Sequence, residues 1–284
     1  MLKRHILLAA FAITAIAGQA IERADYWRSD SVKVMRLLKQ AAKQDSNTNY
    51  ALYFARQLRD LPYVAKTLEK NSDERLVVNL RQLDCTTYTE TVMALTLCMK
   101  QKQPSFDNFC RNLRLLRYKD GVVSYANRLH YFTSWIEENT KKGLVDCIEE
   151  PSAAFSATQT VNANYMTTHT RLYPMLVKNP EWISLIRDTE KEISGRKHKY
   201  IPKSRLNESA LLRQAIHDGD IIVILTSKQG LDTSHIGIAV WHADGLHLLN
   251  ASQVRKKVVE EPKTFYQYMR EHASHTGIRV VRLR

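Results

Sequence analysis

The spacing of apolar residues changes character near residue 220, and this change limits the fold more than any other feature of the chain. Between Ser29 and Glu69 the spacing is helical, with Val34, Leu37, Leu38 and Ala41 in one segment and Leu52, Phe54, Ala55 and Leu58 in the next. Arg75–Leu80 is short and strand-like, and Tyr88, Val92, Leu95 and Met99 predict a buried helix running to about Gln103. A second long helix fits Ser124 to Glu138, after a turn at Lys119-Asp120-Gly121, and a charged helix fits 181–196. Residues 147–180 lack periodicity and hold Pro151, Pro174 and Pro180, which predicts an irregular excursion broken by short helices, of a length that is often functional. From Asp220 onward the runs are short and β-branched: Asp220–Leu225, His235–Trp241, Leu246–Asn250 and Gly277–Arg282, with a helix near Lys263–His272 before the last. Helices followed by an antiparallel sheet define an α+β fold.

The first twenty residues read as a cleavable export signal: Lys3 and Arg4, an apolar run from Ile6 to Ile16, then Ala17-Gly18-Gln19-Ala20. The run is short for a membrane span and no later stretch approaches the ~20 apolar residues a span needs, so no integral membrane contact is expected. No cysteine follows the cleavage site, so no lipid anchor is expected; the compartment is periplasmic or extracellular. Residues 21–284 then form a single domain, helical over about 21–80, expected to act as a monomer. The formal charge of +13 suits acidic partners such as wall polymer, although a plain basic surface is the favoured reading; no basic block with interleaved aromatics appears, which excludes nucleic acid.

The four cysteines, 85, 98, 110 and 147, match no zinc or disulfide framework, and a 13-residue separation on one helix forbids a Cys85–Cys98 bond. Cys85 stands in Leu83-Asp-Cys-Thr-Thr-Tyr-Thr-Glu90. Asp84 is a suitable N-cap, which makes Cys85 the first helical residue. There the helix terminus favours thiolate and the Cys85 amide is free to donate, although the Asp84 carboxylate opposes ionisation. A buried small hydrophobe is the competing reading.

His235 opens a strand whose alternate residues, Gly237 and Ala239, are small; that face is expected to leave room for the helix end carrying the thiol, while Ile236, Ile238 and Val240 face a core. Asn250 is the candidate to orient the imidazole. A two-residue turn at Asp244-Gly245 would set Asn250 opposite Ala239, too far away; a loop from His242 to Gly245 sets it opposite Gly237, diagonal to His235. Other chemistries lack their signatures. There is no His-Glu-x-x-His, no Gly-x-Ser-x-Gly elbow and no phosphate loop, and His242 and His247 flank a turn and are expected to face solvent; no metal and no cofactor are expected. Paired carboxylates for glycoside hydrolysis meet only in space and are not legible in sequence.

Leu61–Glu69, Leu83–Glu90, Leu116–Gly121, Arg128–Tyr131, Gly230–Ala239 and Leu248–Ser252 together resemble the N-acetylmuramoyl-L-alanine amidase-like proteins of the NlpC-type branch of papain-like cysteine hydrolases, in the family's order. The resemblance implies a papain-like core, an antiparallel sheet packed on the helix of a nucleophilic Cys85, with His235 as base and Asn250 as orienting residue. It implies hydrolysis of the muramoyl–L-alanine amide in peptidoglycan fragments, with 1,6-anhydro muropeptides among them. Alternatives that keep the fold are cleavage between D-glutamate and the diamino acid of the stem, or wall binding without catalysis. The sequence departs at Asn250, where many relatives carry histidine in His-Ala-Ser; asparagine also accepts the imidazole N–H. Ser234 is expected as a hydrogen-bond partner of the base. Arg128, His130 and Tyr131 are expected on a helix, pairing substrate carboxylates and touching sugar rings, with packing of Tyr131 on Trp135 as the other reading. Tyr118 and Met166–His169 are candidates for shaping the cleft, with an ordinary loop role as the favoured reading.

Overall fold

The computed structural model describes residues 24–151 and 153–284, so the expected export signal lies outside the described residues. In chain order the elements are β1 (Ala24–Tyr26), α1 (Arg28–Ala41), α2 (Tyr50–Gln57), β2 (Leu76–Val78), α3 (Cys85–Lys100), α4 (Phe106–Arg117), α5 (Phe132–Lys141), β3 (Val145–Ile148) and β4 (Ala157–Thr160). There follow α6 (Tyr165–Thr168), α7 (Pro174–Lys178), α8 (Trp182–Ile193), β5 (Lys197–Pro202), α9 (Ser209–Ala215), β6 (Ile221–Thr226), β7 (Thr233–His242), β8 (Gly245–Ser252), β9 (Lys257–Glu260), α10 (Phe265–Arg270) and β10 (His275–Leu283).

The main sheet has eight strands in the order β4-β5-β10-β6-β7-β8-β9, with β3 also on β10, and every pairing in it is antiparallel. The mixed α+β class with an antiparallel sheet is therefore the observed one. The β-branched runs read from the sequence became β6, β7, β8 and β10. The strands β3, β4, β5 and β9 were not legible because they are short and carry polar residues, as in Ala157-Thr-Gln-Thr160 and Lys197-His-Lys-Tyr-Ile-Pro202.

Helix α3 is buried along its length from Thr87 to Cys98. A helix buried on all sides belongs at the centre of a domain, and α3 lies between α1, α2 and α4 and one face of the sheet, in a core that includes Val34, Phe54, Leu95, Val223, Ile238 and Leu249. The other face, with Ile222, Ile224, Leu248 and Val280, is covered by Leu212 and Ala215 of α9 and by Phe265 and Met269 of α10. The excursion after β3 has its own apolar cluster, in which Met166, Met175, Leu176 and Ile186 pack.

Two expectations are corrected here. The helix expected over Ser124–Glu138 begins only at Phe132, and α4 was not foreseen. Residues 124–128 form only a turn, in which the Asn127 and Arg128 amides donate to the Ser124 carbonyl at 3.2 and 3.0 Å, and the segment then pairs across the chain: Lys119 donates to the Asn127 carbonyl at 2.7 Å and Leu129 to that of Arg117 at 2.9 Å. Arg128, His130 and Tyr131 are thus on a connection, not a helix. Secondly, α3 packs on the Ile236, Ile238 and Val240 face, not over the small residues. The row with the larger apolar area takes the helix, and the room at Gly237 is filled from β8, since a Cβ there would sit 2.8 Å from Leu248 Cδ1 and 2.9 Å from Asn250 Cβ.

Candidate active site

The cysteine is delivered by three local devices. Leu83 is clamped between Pro62 and Val64, donating to the Pro62 carbonyl and accepting from the Val64 amide, both at 3.0 Å. Asp84 closes a capping box, its Oδ1 accepting from the Thr87 amide and hydroxyl at 2.8 Å each while its own amide donates to Thr87 Oγ1 at 2.9 Å. Cys85 is then the first residue of α3, where its amide has no acceptor within the helix. The Ile236 amide, on the strand of His235, and the hydroxyl and amide of Thr86 act to lower the pKa of its thiol.

Burial nevertheless pushes the Cys85 thiol up to about 12, and Asp84 adds to the shift. Loss of water around the sulfur, together with Asp84, thus opposes the thiolate that the helix terminus favours. Burial likewise holds the His235 imidazole below its ordinary range, with the Asn250 hydrogen bond opposing and His272 reinforcing the shift.

The strands meet in the second of the two registers considered, with Trp241 opposite Leu246 and Ile238 opposite Leu249. Asn250 therefore falls diagonal to His235, and His235 Nε2 lies 2.9 Å from Asn250 Oδ1. The amide nitrogen of Asn250 faces the Val259 carbonyl at 3.4 Å and Glu261 Oε1 at 3.5 Å, so the oxygen is the atom turned to the ring. An amide oxygen only accepts, so Nε2 carries the hydrogen and Nδ1 keeps its lone pair. Cys85 and His235 line one cavity of about 200 Å³, with Thr86, His130, Tyr131 and Met166.

The remaining expected residues divide. His130 reaches the cavity, its Nε2 donating to the Tyr125 carbonyl at 2.8 Å and its ring held neutral chiefly by burial and then by Arg128. Ser234 lines the cavity, but its hydroxyl is directed to the Ile224 carbonyl at 3.5 Å and not to the imidazole. Arg128 is buried and committed to Glu69, to Glu74 at 3.5 Å and to the face of Tyr125, so it is not a free cation for substrate. The Tyr131 hydroxyl donates to Glu190 at 2.7 Å and accepts from the Met166 amide at 3.0 Å, while Trp135 stacks on Phe132 instead of Tyr131. Tyr118 is fully buried, bonded to Glu74 at 2.7 Å, away from the cavity. His169 stacks on Tyr165 outside it; of that stretch only Met166 contributes.

Sequence reasoning missed Asp232 and Tyr173, which also line the cavity. Asp232 is buried and accepts from the Thr133 amide at 2.6 Å, tying the strand of His235 to the start of α5. His247, expected in solvent, is buried.

Cys85 at the start of α3 thus shares a cavity with His235, whose ring is hydrogen-bonded to the buried Asn250. Residues 53–278 match the family described as AmiA-like, N-acetylmuramoyl-L-alanine amidase-like, and the chain belongs to that family. A Bacteroides uniformis protein named as an N-acetylmuramoyl-L-alanine amidase is similar over 83% of this chain and 98% of its own, at 37% identity and a TM-score of 0.78. A Bacteroides fragilis protein named as a "putative xylanase" is 38% identical over 82% of this chain and 100% of its own, with a TM-score of 0.76. A Legionella pneumophila protein shares the fold at 21% identity and a TM-score of 0.70, over 90% of this chain and 94% of its own. Comparison with curated proteins found no match.

Proposed function

We propose that the chain is a cysteine amidase of the NlpC-type, papain-like kind that hydrolyses the amide between the muramoyl lactyl group and L-alanine in peptidoglycan fragments, 1,6-anhydro forms among them. The observation that carries the proposal is the 2.9 Å contact of His235 Nε2 with Asn250 Oδ1, which leaves Nδ1 as a base in the cavity that Cys85 lines. The family and the Bacteroides uniformis relative support the bond cleaved. As the lactyl carbonyl is attacked by sulfur, the thiol proton passes to His235 Nδ1, and the imidazolium so formed is supported by Asn250. The Cys85 amide donates to the developing oxyanion. His235 then protonates the leaving L-alanine nitrogen and activates the water that releases the acyl group.

The name of the Bacteroides fragilis relative raises sugar-bond cleavage as the competing chemistry. That reaction needs two carboxyl groups flanking the bond. Asp232 is the one carboxylate among the residues lining the cavity, and it is held by the Thr133 amide. We place the enzyme outside the cytoplasm, as a domain over 21–284, on the strength of the residue 1–20 pattern.

The test is mass spectrometry of purified muropeptides incubated with wild type and with Cys85→Ala. Release of an intact peptide beginning with L-alanine by wild type alone upholds the reading. A shortened peptide left on the sugar identifies stem cleavage instead, and unchanged muropeptides with an unreactive thiol identify a binding protein.

A further inference from the structure

The turn joining β7 to β8 brings together side chains that the proposed chemistry does not use. His242 ends β7, Asp244 lies in the turn and His247 is on β8; one ligating atom from each lies within 4.8 Å of the other two. We propose that these three residues form a binding site for a divalent transition ion of the zinc type, separate from the cavity of Cys85.

Three observations support the ligand set. His247 is 3% exposed; its Nδ1 donates to the Glu261 carbonyl at 2.8 Å, which turns Nε2 toward Asp244 Oδ1 at 3.0 Å, where an ion would displace the Nε2 hydrogen and take its lone pair. A backbone acceptor fixing the far nitrogen is the usual support of a metal-binding histidine. The rings of His242 and His247 lie 4.2 Å apart, and Nε2 of His247 is 3.0 Å from Asp244 Oδ1, close to the separation of two ligands that each lie ~2.0–2.2 Å from one zinc ion. The site also opens to solvent, on a cavity of about 580 Å³ that leaves room for water as a fourth ligand.

Glu260 is adjacent, 2.6 Å from His242 Nε2, but both of its oxygens are held by Arg56 at 3.1 Å. It is therefore assigned to Arg56, and binding requires His242 to exchange its contact with Glu260 for the ion. Asp244 supplies the negative charge. Seven residues of strand, about 23 Å, separate His242 from His235, so the ion takes no part in hydrolysis. Its effect is to fasten the turn that sets the register between the strands of His235 and Asn250.

Zinc chloride is titrated calorimetrically into the full chain carrying Cys85→Ala, so that zinc on that thiol contributes nothing and the result does not depend on the amidase reading. One equivalent is expected to bind, with His242→Ala and Asp244→Asn each weakening it at least tenfold, and zinc is expected to raise the melting temperature of the parent but not of these variants. Cobalt in place of zinc is expected to give visible ligand-field bands without a thiolate charge-transfer band. Binding that is absent, or unchanged in both variants, overturns the proposal, as does a thiolate band.

Discussion

Asn250→Ala separates an orienting role from mere packing. The side chain accepts one hydrogen bond from His235 at 2.9 Å and is fully buried, so truncation leaves the ring N–H without its partner. A buried donor left unsatisfied costs ~1–3 kcal/mol, and the ring is then free to carry its hydrogen on Nδ1, the wrong atom for a base. If that cost falls on the transition state, kcat/KM drops ~5–150-fold, at ~1.4 kcal/mol per factor of ten. The hydrogen bond favours protonated His235, so its loss lowers a pKa that burial already depresses. Activity fails at low pH as His235 becomes protonated; the acidic limb of the kcat/KM profile therefore moves to lower pH in Asn250→Ala. Asn250→Asp, which adds a charge favouring the imidazolium, moves the limb the other way. Asn250→His keeps an acceptor and is expected to stay within several-fold of wild type. Initial rates of L-alanyl peptide release across pH decide the matter: an Asn250→Ala enzyme with wild-type rate and an unmoved limb refutes the assignment.

In a His242→Ala chain, where the proposed ion site is removed, chelator treatment should leave turnover unchanged, because the Cys85 cavity shares no residue with that cluster; loss restored by zinc in this variant would sink the cysteine mechanism. Arg117→Met strands Glu90, its buried partner at 2.7 Å, and should cost ~3–5 kcal/mol in urea unfolding, with much of it regained when Glu90→Leu is added. Gly237→Ala places a methyl group 2.9 Å from Asn250 Cβ; it should destabilise by ~1–3 kcal/mol and lower kcat more than KM, measured by unfolding and by steady-state rates.

The sequence carried the parts of this site that are local. Asp84 before an apolar helical spacing defines a cap, and the alternation along β7 and β8 put His235 and Asn250 on one face with either turn length, whereas their separation needed the observed register. What it did not carry depends on partners distant in the chain. Arg128 looked available because Glu69 and Glu74, which occupy it, lie more than fifty residues earlier. The Gly237 row looked vacant because the filling side chains come from the neighbouring strand. The Tyr131 to Trp135 spacing imitated a helix face, whereas Tyr131 belongs to the Glu190 hydrogen bond and only the following residues coil. His247 looked like a turn residue, and only the Glu261 carbonyl behind it explains its burial.

The segment 60–64 lies between the edge of β9 and Leu83. On one side Asp60 and Tyr63 donate to the Val258 and Lys256 carbonyls, both at 2.9 Å, and Val258 returns a bond to Leu61 at 2.8 Å; on the other side Pro62 and Val64 hold Leu83. The thiol and the amide that steadies the imidazole therefore hang from a common ruler made of main chain. Side chains along 60–64 can change without altering their separation, whereas a single residue inserted there slides one half of the site past the other by about 3.3 Å.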